Sequence, residues 1–384
     1  MNMKKFILLT FISVGLLSAC NDEYLDKYPL TSLTEQNAFL EYNNYKAYMY
    51  PCYELFTNTN IRTNFNENST NSQRYGDWYA GIVTNRDNSF NPYGYQTVTQ
   101  TTTGGGWDFS YIRRINIMLS HLDDGVLTEK EAAHWRSIGY FFSAWWYMEL
   151  IDRFGDIPWV NTVLSEASPE AYGPRTPRAE VADSIIYRLE YAANNLGDFN
   201  DGDNTITVNA IKAALSRFLL REGTWAKYHG LDEPYEEYLR KCLQVSEDLM
   251  LQYPTLYQGC GSETADAAGY GELWTTEDLT GIPGVIFFKQ YYDRLLMHRG
   301  NDFEHIAAHN VDVPQYTVDM FLMKNGYPIN NPNSGYKGGE GKDMWDTFEN
   351  RDPRLYQNIQ PPYVVTANNT GSVDNINTFP TWRF

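Results

Sequence analysis

The residues TEKEAAHWRSIGYFFSAWWYMELIDRFGDIP, from Thr128 to Pro158, decide the fold of this chain. Thr128, followed three residues later by Glu131, forms a capping box, so a helix is predicted to begin there. From Tyr140 to Tyr147 the helix is apolar on almost every side, and Gly155 and Pro158 end it near Phe154. A helix that is apolar all round is buried among neighbours. The stretch therefore predicts a mainly α protein built around this helix.

The segments on both sides carry apolar residues at helical spacing. They predict helices over Glu35 to Phe56 (capped by Thr34), Asp108 to Leu122 (capped by Asp108), Thr176–Pro177 to Gly197, Thr207 to Tyr228, and Pro234 to Leu251. Short connections between successive helices favour a tetratricopeptide-like helical-repeat stack over residues 34–255. No strict 34-residue period is present, so any repeats are divergent.

Two long stretches break this helical pattern. Residues 57–106 hold Asn, Thr, Tyr and Gly with little periodicity, and residues 256–384 are rich in Gly, Pro and Asn. Such long loops are usually functional or disordered, and their aromatic content argues against disorder. We therefore expect a binding-loop insertion at 57–106 and a loop-rich C-terminal region at 256–384.

The first 20 residues carry an export signal. A basic start containing Lys4 and Lys5 precedes a mostly apolar run over residues 6–17, and Leu17–Ser18–Ala19–Cys20 ends it. The run is too short for a membrane span and is typical of a secretory signal. The cysteine at the cleavage point resembles the lipobox of bacterial lipoproteins. We predict a signal peptide at 1–19, lipidation of Cys20 and a tether at 20–33; the alternative is an ordinary secreted protein.

Charge and cysteine content exclude several classes of function. The formal net charge of −18 leaves no electrostatic footprint for nucleic acid. Besides Cys20, the sequence holds three cysteines, Cys52, Cys242 and Cys260. An odd and small number of cysteines does not indicate a disulfide framework. Stability must then come from a packed core.

The aromatic content points to a binding surface. The chain has 10 Trp, 30 Tyr and 19 Phe, and so many tyrosine hydroxyls are costly to bury without partners. A sugar ring packs its C–H face on an aromatic plane while its hydroxyls bond to Asn, Asp or Arg. The candidate ligand-binding residues lie in the two irregular stretches: Arg74, Trp78, Tyr79, Asn85, Tyr270 and Trp274. For each aromatic residue the alternative is a structural role, in which the side chain packs against the helices and holds its loop in place.

Catalytic and cofactor motifs are weak throughout. His305 and His309 have a zinc-compatible spacing, but Ile306 stands where a metalloprotease needs glutamate. The segment Gly338 to Asp343 lacks the Ser or Thr of a phosphate loop. Acidic residues cluster around Glu272, but sequence cannot show the facing pair that a glycosidase requires. We predict no cofactor, no metal site and no catalytic residues.

Several segments together resemble the SusD/RagB family of outer-membrane nutrient-binding lipoproteins. They occur in the family's order along nearly the whole chain: Leu25–Asp26–Lys27–Tyr28–Pro29, Asp152–Arg153–Phe154–Gly155–Asp156–Ile157–Pro158, Arg175–Thr176–Pro177, Asn325–Gly326–Tyr327–Pro328–Ile329 and Asn350–Arg351–Asp352–Pro353–Arg354–Leu355. We interpret them as markers of the fold and not as ligand contacts. Family members are usually longer, so the region 256–384 is expected to be incomplete.

The resemblance implies a non-catalytic lipoprotein on the cell surface of Bacteroidetes, anchored in the outer membrane. It would bind glycans and deliver them to a SusC-like TonB-dependent transporter, swinging over the transporter barrel like a lid. Three alternatives stay open. They are a surface glycoside hydrolase, a peptide-binding relative of the same fold, and a scaffold that joins other lipoproteins.

Overall fold

The structure is a computed structural model that describes residues 38–56, 81–82, 107–258, 268–290 and 313–359. Within these ranges the regular structure is helical, with isolated bridges between Ile157 and Thr176 and between Met323 and Arg351. The helices are α1 (Tyr42–Met49), α2 (Ser110–Ser120), α3 (Glu129–Phe154), α4 (Arg178–Asn195), α5 (Val208–His229), α6 (Tyr235–Gln252), α7 (Ala268–Thr275), α8 (Gln315–Met320), α9 (Met344–Phe348) and α10 (Pro353–Asn358).

The long helix α3 lies at the centre of the fold, as its composition predicts. The capping box is present, with Thr128 accepting from the backbone N–H of Glu131 and the Glu131 side chain accepting from the backbone N–H of Thr128. Helices α1, α2, α4 and α5 all pack against α3. Phe142 and Tyr147 are fully buried. The buried faces on several sides of α3 therefore organise the main hydrophobic core.

Successive helices pack on one another from α3 to α6, which gives the tetratricopeptide-like stack. The helix predicted from Thr207 is present, and Thr207 is its N-cap, accepting from the backbone N–H of Ala210. Gly230 ends α5 with φ +64°, a left-handed conformation that glycine adopts without strain. The short connection after it brings α6 back along α5.

The helix predicted over Glu35 to Phe56 is not continuous in the described residues, and its predicted cap, Thr34, lies outside them. Residues 38–40 form a turn, α1 begins only at Tyr42, and Tyr50–Phe56 is a 3₁₀-helix. Pro51 explains the change at Tyr50, because proline lacks the N–H that an α-helix needs and crowds the preceding turn.

Asp108, the predicted cap of α2, also acts differently from a simple cap. Phe109 occupies the N-cap position of α2, while Asp108 accepts from the backbone N–H and hydroxyl of Ser110.

Residues 313–359 pack around the buried guanidinium of Arg351, which is 1% exposed. Arg351 Nη2 donates to the carbonyls of Val318 (2.6 Å) and Phe321 (2.7 Å), and Nη1 donates to that of Thr347 (2.9 Å). Asp352 accepts from the backbone N–H of Arg354 and caps α10. The marker segment Asn350 to Leu355 thus has a structural role, as interpreted from the sequence.

The cysteines that the structure describes, Cys52 and Cys242, are free and buried. Burial raises the pKa of the Cys52 thiol to about 12. None of the helices in the described ranges combines the length and the apolar character needed to cross a membrane. The boundaries proposed at residues 19, 33 and 255 stay predictions.

Candidate functional site

The structure describes part of the predicted binding surface. Trp274 and Tyr270 lie on α7, whereas Cys20 and the other candidates, Arg74, Trp78, Tyr79 and Asn85, lie outside the described residues. The site geometry is therefore that of the α7 surface.

Tyr270 and Trp274 are neighbours on one face of α7, four residues apart. Their ring centroids are 6.1 Å apart and the ring planes meet at 71°, an edge-to-face arrangement. Tyr270 is half-buried, while Trp274 is 72% exposed. The exposed indole is therefore available to a ligand, and Tyr270 supports it from the side.

Helix α7 is held in place by packing against α10. A Cβ atom added at Gly271 would lie 2.8 Å from the side-chain oxygen of Gln357, so the absence of a side chain permits this close approach. On the same helix, Glu272 Oε2 accepts from the hydroxyl of Tyr257 at 3.2 Å. These contacts fix the position of the short helix that carries the aromatic pair.

A charged pair lies at the start of α10, the helix that packs against α7. Arg354 of α10 donates from Nε to Asp352 Oδ1 at 2.9 Å, and this hydrogen bond lowers the pKa of the Asp352 carboxyl. Arg354 lies on the helix that packs against α7, and its side chain is 53% exposed. An indole face, a phenol hydroxyl and a guanidinium together supply stacking and hydrogen-bond donors. We name Tyr270, Trp274 and Arg354 the aromatic platform.

The assignment of Tyr270 and Trp274 to a ligand site stays a prediction, and their structural setting was not predicted. Tyr270 and Trp274 are four residues apart, a spacing that is typical of one face of a helix and could have predicted α7. The glycines around them made a helix less evident in the sequence. Arg354 was identified only as a marker of the fold. Its position beside α7 depends on the packing of α10, which the local pattern does not contain.

The described residues include no group of three or more His, Cys, Asp or Glu side chains placed to hold a metal ion. His305 and His309 lie outside the described residues. Of the acidic residues near the platform, Glu272 is engaged by Tyr257, and Glu277 and Asp278 are exposed.

Two family models match this chain, one over the helical stack and one over the loop-rich region. The family model described as "Starch-binding associating with outer membrane" matches residues 23–220. The model described as "SusD family" matches residues 283–379. The chain belongs to the SusD/RagB family.

Two solved structures of SusD-like proteins from Bacteroides fragilis have the same fold. One superposes with a TM-score of 0.60 at 19% identity and covers 86% of this chain and 62% of its own. The other, described as a carbohydrate-binding protein, gives 0.59 at 18% identity and covers 83% and 60%. This chain thus spans about three-fifths of their length. The SusD-like protein P2 of Formosa agariphila is 41% identical over 59 residues, 15% of this chain and 12% of that protein.

Proposed function

We propose that this protein is a lipid-anchored receptor on the outer cell surface that binds glycans and delivers them to a TonB-dependent transporter of the SusC type. The exposed Trp274 ring, supported by Tyr270, is the observation that carries the binding part of the proposal. No bond is broken in this function: the protein binds its ligand and hands it on.

The chemistry of the platform favours a sugar over an apolar ligand. A pyranose ring is apolar on its C–H face, which packs on the Trp274 indole, and polar at its rim. The exposed Arg354 guanidinium and the Tyr270 hydroxyl are the donors that we assign to the rim hydroxyls. Trp274 is 72% exposed, and a ring this accessible suits one segment of a long polymer.

The lipobox and the family description support the location and the partner. Cys20 ends a secretory signal, and the matching family is described as associating with the outer membrane. Two or three acyl chains at Cys20 would hold the protein stably at that membrane. A receptor tethered there can pass its ligand to a membrane transporter and, as a lid, close over the barrel.

Affinity electrophoresis through gels containing a panel of polysaccharides tests the binding. We expect at least one polysaccharide to retard the protein, and Trp274→Ala to lose about tenfold or more in affinity, because base-to-aromatic stacking of comparable area is worth ~1–3 kcal/mol. Trp345→Ala removes an exposed tryptophan from α9 and is the matched control. Retardation that Trp274→Ala leaves unchanged would exclude the platform as the binding surface.

The same incubations separate the alternatives. Shortened products would identify a glycoside hydrolase, and retention on immobilised peptides in place of glycans would identify a peptide receptor. No retention of any ligand would favour a scaffold.

Detergent extraction of outer membranes tests the anchor and the partner. We expect the wild-type protein to incorporate labelled palmitate and to co-purify with a transporter barrel. Cys20→Ala is expected to lose the label and to appear in the soluble fraction. A labelled protein that purifies without any barrel would contradict the delivery step alone.

A further inference from the structure

A cleft of about 720 Å³ lies between α2, α3, α4 and the segment that follows α3. Its walls include Tyr140, Trp159, Tyr187 and Arg188. The volume is within the range of small-molecule sites, about 300–1,000 Å³. None of its lining residues belongs to the aromatic platform, and the proposed function does not use it.

Arg188 is the unusual residue of this cleft, because it is 4% exposed and has no acidic partner among the described residues. Its guanidinium carbon lies 4.5 Å from the centre of the Trp159 ring and 5.1 Å from that of Tyr140. Nη1 donates to the hydroxyl of Ser143. Burial lowers the pKa of Arg188. Aromatic faces and one hydroxyl are a weak substitute for the carboxylate that a buried arginine normally pairs with.

The charges around the cleft favour an anion, although the chain as a whole is acidic. The lining residues include two arginines, Arg136 and Arg188, and one acid, Asp183. Asp183 Oδ1 accepts from the Tyr238 hydroxyl at 2.7 Å. Arg136 Nη2 lies 3.5 Å from Asp123, but that carboxylate is 87% exposed, so the pair is weak. The cleft therefore offers one buried and one half-exposed guanidinium.

The uncharged walls suit a hydroxylated ligand. Tyr187 is 61% exposed, and its ring centroid lies 6.5 Å from that of Tyr140. Asn116 donates from Nδ2 to the carbonyls of Val160 (3.2 Å) and Thr162 (2.9 Å), which shapes the wall formed by residues 160–162. Asn116 Oδ1 is buried and has no partner among the described residues. Asn161, Thr162 and Ser184 add polar groups to the lining.

We propose that this cleft is a second binding site, for a carboxylated sugar of the uronic acid type. The sugar carboxylate pairs with the Nε and Nη2 edge of Arg188, since Nη1 is already engaged by Ser143. Arg136 adds long-range attraction from the rim, and the sugar ring lies against Tyr187. The site is separate from the aromatic platform.

Isothermal titration of the full-length protein in detergent at low ionic strength tests the proposal. Three probes are used. Glucuronate carries both the sugar ring and the carboxylate, glucose carries the ring alone, and acetate carries the carboxylate alone. We expect glucuronate to bind about tenfold or more tighter than either of the others, because hydrogen bonds to charged groups are among the strongest in binding sites. Equal affinity for glucuronate and glucose would overturn the proposal, as would no binding of glucuronate.

Rim variants test the site without disturbing the buried arginine. Arg136→Gln and Tyr187→Ala are expected to weaken glucuronate binding severalfold, and the exposed Arg240→Gln and Tyr172→Ala are the matched controls. Arg188→Gln is expected to abolish binding in any preparation whose helix content and Tm match the wild type. Unchanged binding in both rim variants would overturn the proposal even if Arg188→Gln does not fold.

Two further titrations separate the sites and the sources of the sugar. Trp274→Ala is expected to leave glucuronate binding intact, so the platform and the cleft can fail independently; a loss there would overturn the separate site. Titration with an oligomer of glucuronate shows whether the site takes the end of a chain or the free sugar. An oligomer that binds as tightly as the monosaccharide indicates a chain-end residue, and binding of the monosaccharide but not of the oligomer indicates the free sugar. Either result supports the carboxylate site.

Discussion

His134 Nε2 and Asp201 Oδ2 lie 2.8 Å apart in the core, although the two residues are separated by 67 positions in the sequence. The other ring nitrogen of His134 faces the carbonyl of Gly197 at 3.2 Å, and Asp201 Oδ1 accepts from the Tyr42 hydroxyl at 2.8 Å. Asp201 thus joins α1, α3 and the connection between α4 and α5. One carboxylate therefore links three parts of the stack through hydrogen bonds.

Replacing that carboxylate should destabilise the whole stack. Asp201→Asn keeps the shape of the side chain but removes the charge that both partners face. We expect the free energy of unfolding to fall by about 1–3 kcal/mol, the cost of leaving buried polar groups poorly paired. Urea denaturation followed by circular dichroism measures it. Asp198→Asn, on the exposed part of the same connection, is the control and should change the value by less than about 0.5 kcal/mol.

The contribution of Asp201 should depend on pH. Burial acts to raise the pKa of its carboxyl, but the hydrogen bonds from His134 and Tyr42 outweigh it and the pKa is lowered. Because the folded pKa lies below the unfolded value of about 3.9, the stabilisation is complete above that value and is lost as the pH falls through the folded pKa. The difference between wild type and Asp201→Asn should therefore be larger at about pH 5.5 than at about pH 3.5. A constant difference across that range would refute this account.

A second buried charge pair joins α4 to α5. Arg178 donates from Nε to Glu222 Oε1 at 2.6 Å and from Nη2 to Glu222 Oε2 at 2.9 Å. The Glu222 side chain is fully buried, and that of Arg178 is 12% exposed. Arg178 Nη1 also donates to the carbonyl of Ile151 on α3, so the pair links three successive helices of the stack.

Glu222→Gln should be strongly destabilising, because it leaves the Arg178 guanidinium without its buried counter-charge. The expected loss is about 3 kcal/mol, at the lower end for a broken buried pair since the amide still accepts one hydrogen bond. Thermal and urea unfolding measure the loss. Glu247→Gln on the exposed face of α6 is the matched control. Equal free energies of unfolding for Glu222→Gln and Glu247→Gln would contradict this prediction and would mean that water already solvates the Arg178–Glu222 pair.

The sequence predicted those parts of the fold that depend on local signals. The capping box at Thr128 is confirmed, and the helix predicted over Thr207 to Tyr228 is present as Val208–His229, because capping and helical spacing depend on neighbouring residues. The prediction of one continuous helix over Glu35 to Phe56 was wrong, because residues 38–41 are not helical and Tyr50–Phe56 is a 3₁₀-helix that contains Pro51. Helix α7 was not predicted, because eight residues carry a weak periodic signal and packing on α10 stabilises them.

Long-range pairs could not be predicted from the pattern of the sequence. Asp201 lies in a connection where an acidic residue is ordinary, and only the fold brings it to His134. The cleft has the same origin, since α2, α3 and α4 each supply part of its wall. One local signal was present: Arg188 lies three residues after Ile185, within the apolar stripe of α4. A charged residue at such a position indicates either a buried pair or a binding site.

Arg351 allows a test of how residues 313–359 are held together. Its guanidinium binds the carbonyls of Val318, Phe321 and Thr347, and lies 5.5 Å from the centre of the Tyr336 ring. Arg351→Met would fill much of the same space while leaving these carbonyls without a donor. We expect faster amide hydrogen exchange across residues 313–359, by about tenfold or more, since each unpaired buried acceptor costs ~1–3 kcal/mol.

The control for this variant is Lys342→Met, an exposed cation in the same region, which should leave exchange unchanged. Amides of α3 and α5 provide the internal reference, because their hydrogen bonds belong to the helical stack and do not involve Arg351. If Arg351→Met speeds exchange in α3 and α5 as much as in residues 313–359, the arginine stabilises the protein globally. Unchanged exchange in residues 313–359 would show that contacts such as Phe348 with Tyr356 hold this region without the guanidinium.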